Sequence, residues 1–169
     1  MRTEDAPLIR LEDYRPSDWL IDTVDLDVSL HPTKTRVRSL LSLRPNPAGQ
    51  PGAPLTLDGD ELSLKTISLD GKPLDASAYA ASPQALTIHA PPRRGFTLTI
   101  ETEIDPSANT KLMGLYRSSK VYCTQCEAEG FRRITYFLDR PDVMAVYTVR
   151  LEAAKAEAPV LLSNGNLVA

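Results

Sequence analysis

Phe96-Thr97-Leu98-Thr99-Ile100-Glu101-Thr102-Glu103-Ile104 sets its apolar side chains at every second position. Successive side chains of a strand point to opposite faces, so this run is a half-buried β-strand with its apolar residues on one face. The same period recurs upstream. In residues 21–30, Val24, Leu26, Val28 and Leu30 alternate with polar residues, and Asp25 and Asp27 fall on the water side. His31-Pro32-Thr33-Lys34 is a turn. Residues 35–43 return with Val37, Ser39, Leu41 and Leu43 on one face.

Shorter runs fill the middle of the chain. Pro45-Asn46-Pro47-Ala48-Gly49-Gln50-Pro51-Gly52-Ala53-Pro54 excludes a regular element, because proline lacks the amide donor and glycine lacks stiffness. A short strand over 55–57 follows it. Leu62 and Leu64 then alternate, and the parity slips at Lys65-Thr66 before Ile67 and Leu69, which predicts a bulge. Asp70-Gly71 is a hairpin turn. Residues 86–88, 144–151 and 159–162 read as further strands. Ser163-Asn164-Gly165-Asn166 reads as a hairpin turn, and Leu167-Val168-Ala169 as the start of a strand without room to finish.

Short alternating runs separated by turns every eight to twelve residues or so indicate an all-β fold. The expectation is an antiparallel, saddle-like β-sandwich, with an irregular loop around 124–142. Val24, Leu26, Val28, Phe96, Leu98 and Ile100 should face its inter-sheet core. Residues 1–17, with Pro7 and Pro16 and little periodicity, are expected to form an arm. Residues 18–169 should form one β domain, cut from a longer multidomain protein at its C-terminal end.

Composition narrows the function classes. The 169 residues are 42% hydrophobic and 24% charged, with a formal net charge of −3. Lysine and arginine are scattered, so no electrostatic footprint for nucleic acid is present. No stretch approaches the ~18 apolar residues that span a bilayer, so no membrane partner is expected. Met1-Arg2-Thr3-Glu4-Asp5-Ala6-Pro7 lacks the apolar core of a signal peptide, and a cytoplasmic location is the expectation.

Catalytic groups are scarce. His31 and His89 are the two histidines, both in strand-like runs and far from Cys123 and Cys126. The Cys-x-x-Cys spacing admits a redox pair, half of a zinc site, or two reduced, packed thiols. A strand points residues i and i+3 apart, which favours packed thiols, and no metal site is expected in this chain. Asp25/Asp27 and Glu101/Glu103 read as solvated pairs. Asp58-Gly59-Asp60-Glu61 lacks calcium-loop spacing.

The remaining candidate is Thr124-Gln125-Cys126-Glu127-Ala128-Glu129-Gly130-Phe131-Arg132-Arg133-Ile134-Thr135-Tyr136-Phe137-Leu138-Asp139-Arg140-Pro141-Asp142. Acids, arginines and aromatics crowd here without a helix or strand period, as in loops that carry a site or a joint. Residues 129–136 have room for a helical turn. Gln125 and Glu127 are two apart, so in an extended chain both point the same way and could grip an ammonium group. The competing reading is an ion pair from Glu127 to Arg132 or Arg133, or a network that orders the loop.

This stretch, with Gly114-Leu115-Tyr116 before it, resembles bacterial aminopeptidase N, a family of zinc metallo-aminopeptidases with an HExxH motif. Asp13-Tyr14-Arg15, Leu57-Asp58-Gly59-Asp60-Glu61-Leu62, Asp105-Pro106-Ser107-Ala108-Asn109-Thr110 and Leu161-Leu162-Ser163-Asn164-Gly165-Asn166 carry the likeness along the chain. The resemblance implies an all-β amino-terminal domain packed on a thermolysin-like domain of the same chain that holds the zinc. It implies that Glu127, with Gln125, binds the free α-amino group of a peptide substrate, beside a glutamate of a Gly-x-Met-Glu-Asn motif. HExxH and Gly-x-Met-Glu-Asn are absent from these 169 residues. The implied chain therefore recognises a substrate N-terminus but has no catalytic residue and no cofactor of its own. Two readings of other classes compete: a stand-alone β-sandwich module that binds peptides or proteins without catalysis, and a structural domain whose loop serves docking.

Overall fold

The computed structural model describes residues 10–168. Residues 1–9, most of the expected arm, and residue 169, the end of the expected last strand, lie outside them. The regular structure is almost entirely β. In chain order the strands are β1 (Trp19–Ser29), β2 (Thr35–Pro45), β3 (Leu55–Asp58), β4 (Ser63–Leu69), β5 (Lys72–Pro73), β6 (Tyr79–Ser82), β7 (Ala85–Ile88), β8 (Phe96–Ile104), β9 (Gly114–Ser118), β10 (Val121–Gln125) and β11 (Val146–Glu152). Single 3-10 turns occupy Leu11–Asp13, Ala76–Ala78 and Phe131–Arg133. Among the described residues no helix is long and apolar enough to cross a membrane.

The strands form an open six-stranded sheet in the order β11-β1-β2-β8-β4-β5, a three-stranded sheet β3-β7-β6, and the hairpin β9-β10. The expected strands at 96–104, 35–43 and 21–30 are β8, β2 and β1. The slip at Lys65 is real: the β4–β8 register shifts between Leu64 and Thr66. Leu69 pairs with Lys72 across Asp70-Gly71. Both turn residues have positive φ, 48° and 75°, the mirror-image turn that suits a two-residue hairpin.

Among the described residues all strand pairings are antiparallel but one. β11 lies parallel to β1, with Thr23 opposite Val146 and Val28 opposite Leu151. Alternation reports burial of a face, not strand direction. A parallel neighbour needs a long connection rather than a tight turn, and over a hundred residues separate these two strands. The expected strand at 159–162 is not one: these residues join no sheet, and Val160 and Leu162 are exposed. An apolar run becomes a strand only where a neighbouring edge takes up its backbone donors and acceptors. Asn164 and Gly165 do bend the chain, with Gly165 at φ 89°, but no paired strands flank them and they close no hairpin.

One cluster of buried side chains forms the core. Val24, Leu26, Val28, Val37, Leu41, Leu43, Phe96, Leu98 and Ile100 come from the large sheet, and Leu55, Leu57, Leu86 and Ile88 from the small one. All six residues expected to face the core are buried. Trp19 meets Phe96 edge-on at 5.7 Å between centroids, and its indole nitrogen donates to the Pro54 carbonyl. Each fully buried leucine or isoleucine contributes roughly 1.5–3 kcal/mol, so this cluster dominates the stability of the fold.

The third contributor to the core has no regular structure. Residues 133–139 are buried in seven consecutive positions. Such a segment must satisfy its polar groups without a ladder. The Thr102 hydroxyl donates to the Ile134 carbonyl, Ser39 and Thr135 share a hydroxyl bond of 2.9 Å, and the Tyr136 hydroxyl donates to the Ser82 carbonyl at 2.6 Å. Asp58 and Phe137 exchange both backbone bonds. The irregular segment is thereby stapled to both sheets, and it enters the core directly after the candidate site.

Candidate functional site

β10 ends at Gln125, which pairs with Gly114 at the start of β9. The chain then reverses: the Gly130 amide donates to the Cys126 carbonyl at 2.8 Å. Glycine is required at 130 by close approach. A Cβ there would lie 2.8 Å from the Gln125 carbonyl oxygen and 2.9 Å from the Cys126 Cα. Between these two closures Glu127, Ala128 and Glu129 project into solvent, and the Glu127–Ala128 peptide is cis.

This geometry alters the expected relation of Gln125 to Glu127. The chain is extended only up to Gln125, so the two side chains do not stand side by side on one strand face. The Gln125 amide instead donates to the Glu127 main-chain carbonyl at 3.2 Å. Glutamine therefore braces the turn, and the Glu127 carboxylate is left without a hydrogen-bond or ion-pair partner among the described residues. The competing ion pair does not form either. Arg132 pairs with Glu129 and Asp139, and Arg133 with Asp60 and Glu61.

The root of the turn is charged and fully paired. Arg132 donates to the Asp139 carboxylate from its backbone amide and its Nε, and to the Asp139 carbonyl and Glu129 from Nη2. Arg133 is buried. Its Nη1 meets Asp60 at 2.5 Å, its Nη2 meets Glu61 at 2.6 Å, and its Nε donates to the Met113 carbonyl at 3.2 Å. Lys111 adds a second cation to the same two carboxylates. Burial pushes the Asp60 carboxyl up, but hydrogen bonds from Arg133 and Lys111 outweigh it and hold it below its ordinary value. Lys111 and Arg133 hold Glu61 low as well. Burial likewise works against the Arg133 charge, and the bonds to Asp60 and Glu61 more than restore it.

Beside the turn, Phe131 stacks edge-on with Phe137 at 4.9 Å and with Tyr147 of β11 at 5.7 Å. At its far end, Tyr14 donates to Asp142 and Arg140 donates to the Arg15 carbonyl, which joins the described part of the arm to this loop. Cys123 and Cys126 are free, half-buried thiols. Burial, aided by the Asp139 charge, raises the Cys126 thiol above its ordinary range, which makes it less reactive. His31 and His89 sit just past the ends of β1 and β7 rather than inside strands. Among the described residues no three His, Cys, Asp or Glu side chains lie together as a metal site would require.

Sequence reasoning missed the Asp60–Glu61–Arg133–Lys111 cluster. Read locally, Asp60 and Glu61 raise only the question of a calcium loop, and nothing nearby in the chain ties them to an arginine more than seventy residues away. The one available signal was Arg133 itself, a charge next to a run of apolar and aromatic residues.

The sequence pattern of the peptidase M1 N-terminal domain matches residues 20–169. The chain belongs to this family. Aminopeptidase N of Caulobacter vibrioides is 52% identical over 169 residues, which is 100% of this chain and 19% of that protein. The chain thus spans under a fifth of this relative's length. Among solved structures, Legionella pneumophila aminopeptidase A in complex with aspartic acid superposes with a TM-score of 0.85 at 31% identity, over 95% of this chain and 19% of that one. A variant M1 zinc metallopeptidase from Deinococcus radiodurans, bound to a Tyr-Ser-Ala substrate, superposes with a TM-score of 0.67 at 16% identity, over 80% of this chain and 33% of that one. At that identity the likeness shows a shared fold. Family membership accounts for the open, largely antiparallel sheets.

Proposed function

We propose that this chain is the substrate-recognising N-terminal domain of a zinc-dependent aminopeptidase, and that the 125–129 turn holds the free α-amino group of the peptide through the Glu127 carboxylate. One observation carries the assignment. Seven charged side chains lie between Thr124 and Asp142, and six of them form ion pairs within the domain. Glu127 is the exception among the described residues, exposed at the tip of a turn whose root is locked.

The chemistry suits an exopeptidase. A peptide α-amine has a pKa near ~8, so it is largely ammonium at neutral pH. A carboxylate accepts a charge-assisted hydrogen bond from it, stronger than a neutral one. Because Glu127 needs no rearrangement of existing pairs, its whole acceptor capacity is open to the ligand. Gln125 holds the turn by its bond to the Glu127 carbonyl and so fixes where the carboxylate stands. Fixing the amine end sets which peptide bond is first. Relatives supply the reading of the substrate class: the Deinococcus protein is bound to a tripeptide and is a zinc enzyme. Among the described residues no metal cluster is present; in the enzyme that the resemblance implies, the thermolysin-like part would hold the zinc, which would polarise the scissile carbonyl.

The test replaces the matching segment of the Caulobacter relative with residues 1–169 and compares this chimera with its Glu127→Ala form. Losing one partner of a desolvated charge pair costs about 2–5 kcal/mol, so kcat/KM for unblocked peptides should fall by roughly one and a half to three and a half decades. Hydrolysis of such peptides by Glu127→Ala at the unsubstituted rate would show that the amine is held elsewhere.

A further inference from the structure

The anchor reading uses Glu127 and Gln125 and leaves the buried Arg133 cluster without a part. Its connections are specific. Arg133 bonds the Met113 carbonyl through Nε, and Met113 precedes Gly114, the residue that pairs with Gln125. The Arg133 amide donates to the Gly130 carbonyl at 3.1 Å, at the other end of the turn. The Arg133 Cβ fills the space beside Gly114 that a side chain there would need, and Gly114 has φ 70°. One residue therefore touches both places where the anchor turn joins the fold. Its two remaining guanidinium arms reach Asp60 and Glu61. The Asp60 amide in turn donates to the Arg132 carbonyl at 3.0 Å.

We propose that Arg133, oriented by Asp60 and Glu61, is a positioning residue that sets where the Glu127 carboxylate stands. The inference rests on the reading of Glu127 as the amine anchor. A planar guanidinium is needed because three acceptors in three directions must be met at once, which an ammonium on a flexible stem does not do. The side chain is only 5% exposed, so its charge is worth burying only while both carboxylates face it. Small displacements matter at such a site: a shift of about 1 Å in a positioning group can cost on the order of a hundredfold in rate.

The test uses the chimera, a dipeptide p-nitroanilide with a free amine, and its N-acetylated twin. Arg133→Lys should lower kcat/KM for the free-amine substrate by roughly tenfold or more and shrink the preference over the acetylated one. Added to Glu127→Gln, the same substitution should cause no further loss, because the residue it positions has already lost its charge. Glu61→Gln removes one half-exposed arm without emptying the buried site. It should show the same pattern with a smaller loss, and it carries the comparison if Arg133→Lys does not fold. Equal fold-losses in the parent and in the Glu127→Gln background, or unchanged kcat/KM in both Arg133→Lys and Glu61→Gln, would overturn the proposal and leave the cluster a stabilising one. If Glu127→Gln alone keeps full kcat/KM, the anchor reading fails first and this inference falls with it.

Discussion

The two halves of the 124–142 loop are built on opposite principles. From Arg133 to Asp139 every residue is buried, and every charge has a partner within the domain. From Gln125 to Glu129 the chain is largely exposed, and one carboxylate has no partner among the described residues. The root resembles a core without a ladder, while the tip resembles a ligand-binding loop. The difference shows how an irregular segment can present a charge at a fixed point: rigidity comes from the buried half, and free acceptor capacity from the other.

The contrast breaks most readily at the root. Tyr136 is almost fully buried, and its ring lies where a Cβ at Gly59 would clash with it. Tyr136→Ala should cost about 3–5 kcal/mol in chemical denaturation, as other large aromatic truncations do. A cost under about 1 kcal/mol would mean that the root is not a packed element.

At the junction of the two halves, Gly130→Ala forces the new methyl against backbone atoms of Gln125 and Cys126. Backbone cannot yield as a side-chain end can, so about 1–3 kcal/mol of stability should be lost. The turn should then lose substrate preference before it loses the fold. An unchanged melting temperature would show that the junction is loose.

The charged part of the root makes a prediction about pH. Asp60 and Glu61 are held below their ordinary values, so the unfolded chain binds protons more readily than the folded one does. Their contribution is complete above the unfolded values of about 4 and is lost as pH falls through the lower folded values. The Asp60→Asn, Glu61→Gln double variant should be less stable than the parent at pH 7, with the gap closing toward pH 2–3 or so. A gap that stays constant down that range would remove the ion pairs from the account.

Much of this fold is legible in the sequence because strands carry a local code. Residues 96–104 alternate and are β8 from end to end, and even the bulge at Lys65 shows as a slip in parity. Strand direction is not local, so the parallel placement of β11 beside β1 left no trace in its own residues. Nor is pairing: residues 159–162 have a strand's composition but no edge to join. The root was illegible for a related reason. Seven buried residues in an irregular path follow no period, and their hydrogen bonds run to Ser39, Asp58, Ser82 and Thr102, far along the chain. Gln125 and Glu127 stood out through resemblance. Their actual relation, one bracing the backbone that carries the other, depends on a reversal that only the close packing around Gly130 explains.

The smallest effects belong to the tip. Gln125→Ala removes one neutral hydrogen bond worth about 0.5–1.5 kcal/mol, and it should show as a severalfold loss of kcat/KM in the chimera. A loss as large as that of Glu127→Ala would make glutamine, not glutamate, the principal contact.

The division between a rigid root and a free tip is tested most directly by measuring two properties of Glu127→Ala on the same chimeric protein. The Glu127 carboxylate has no hydrogen-bond or ion-pair partner among the described residues, and its carbonyl keeps the Gln125 bond in Glu127→Ala, so stability should stay within about 0.5 kcal/mol of the parent. At the same time kcat/KM for unblocked peptides should fall by at least about thirtyfold, the lower end of losing a charged contact. A protein that melts several degrees lower yet hydrolyses unblocked peptides at the parent rate would contradict the account, because Glu127 would then belong to the root.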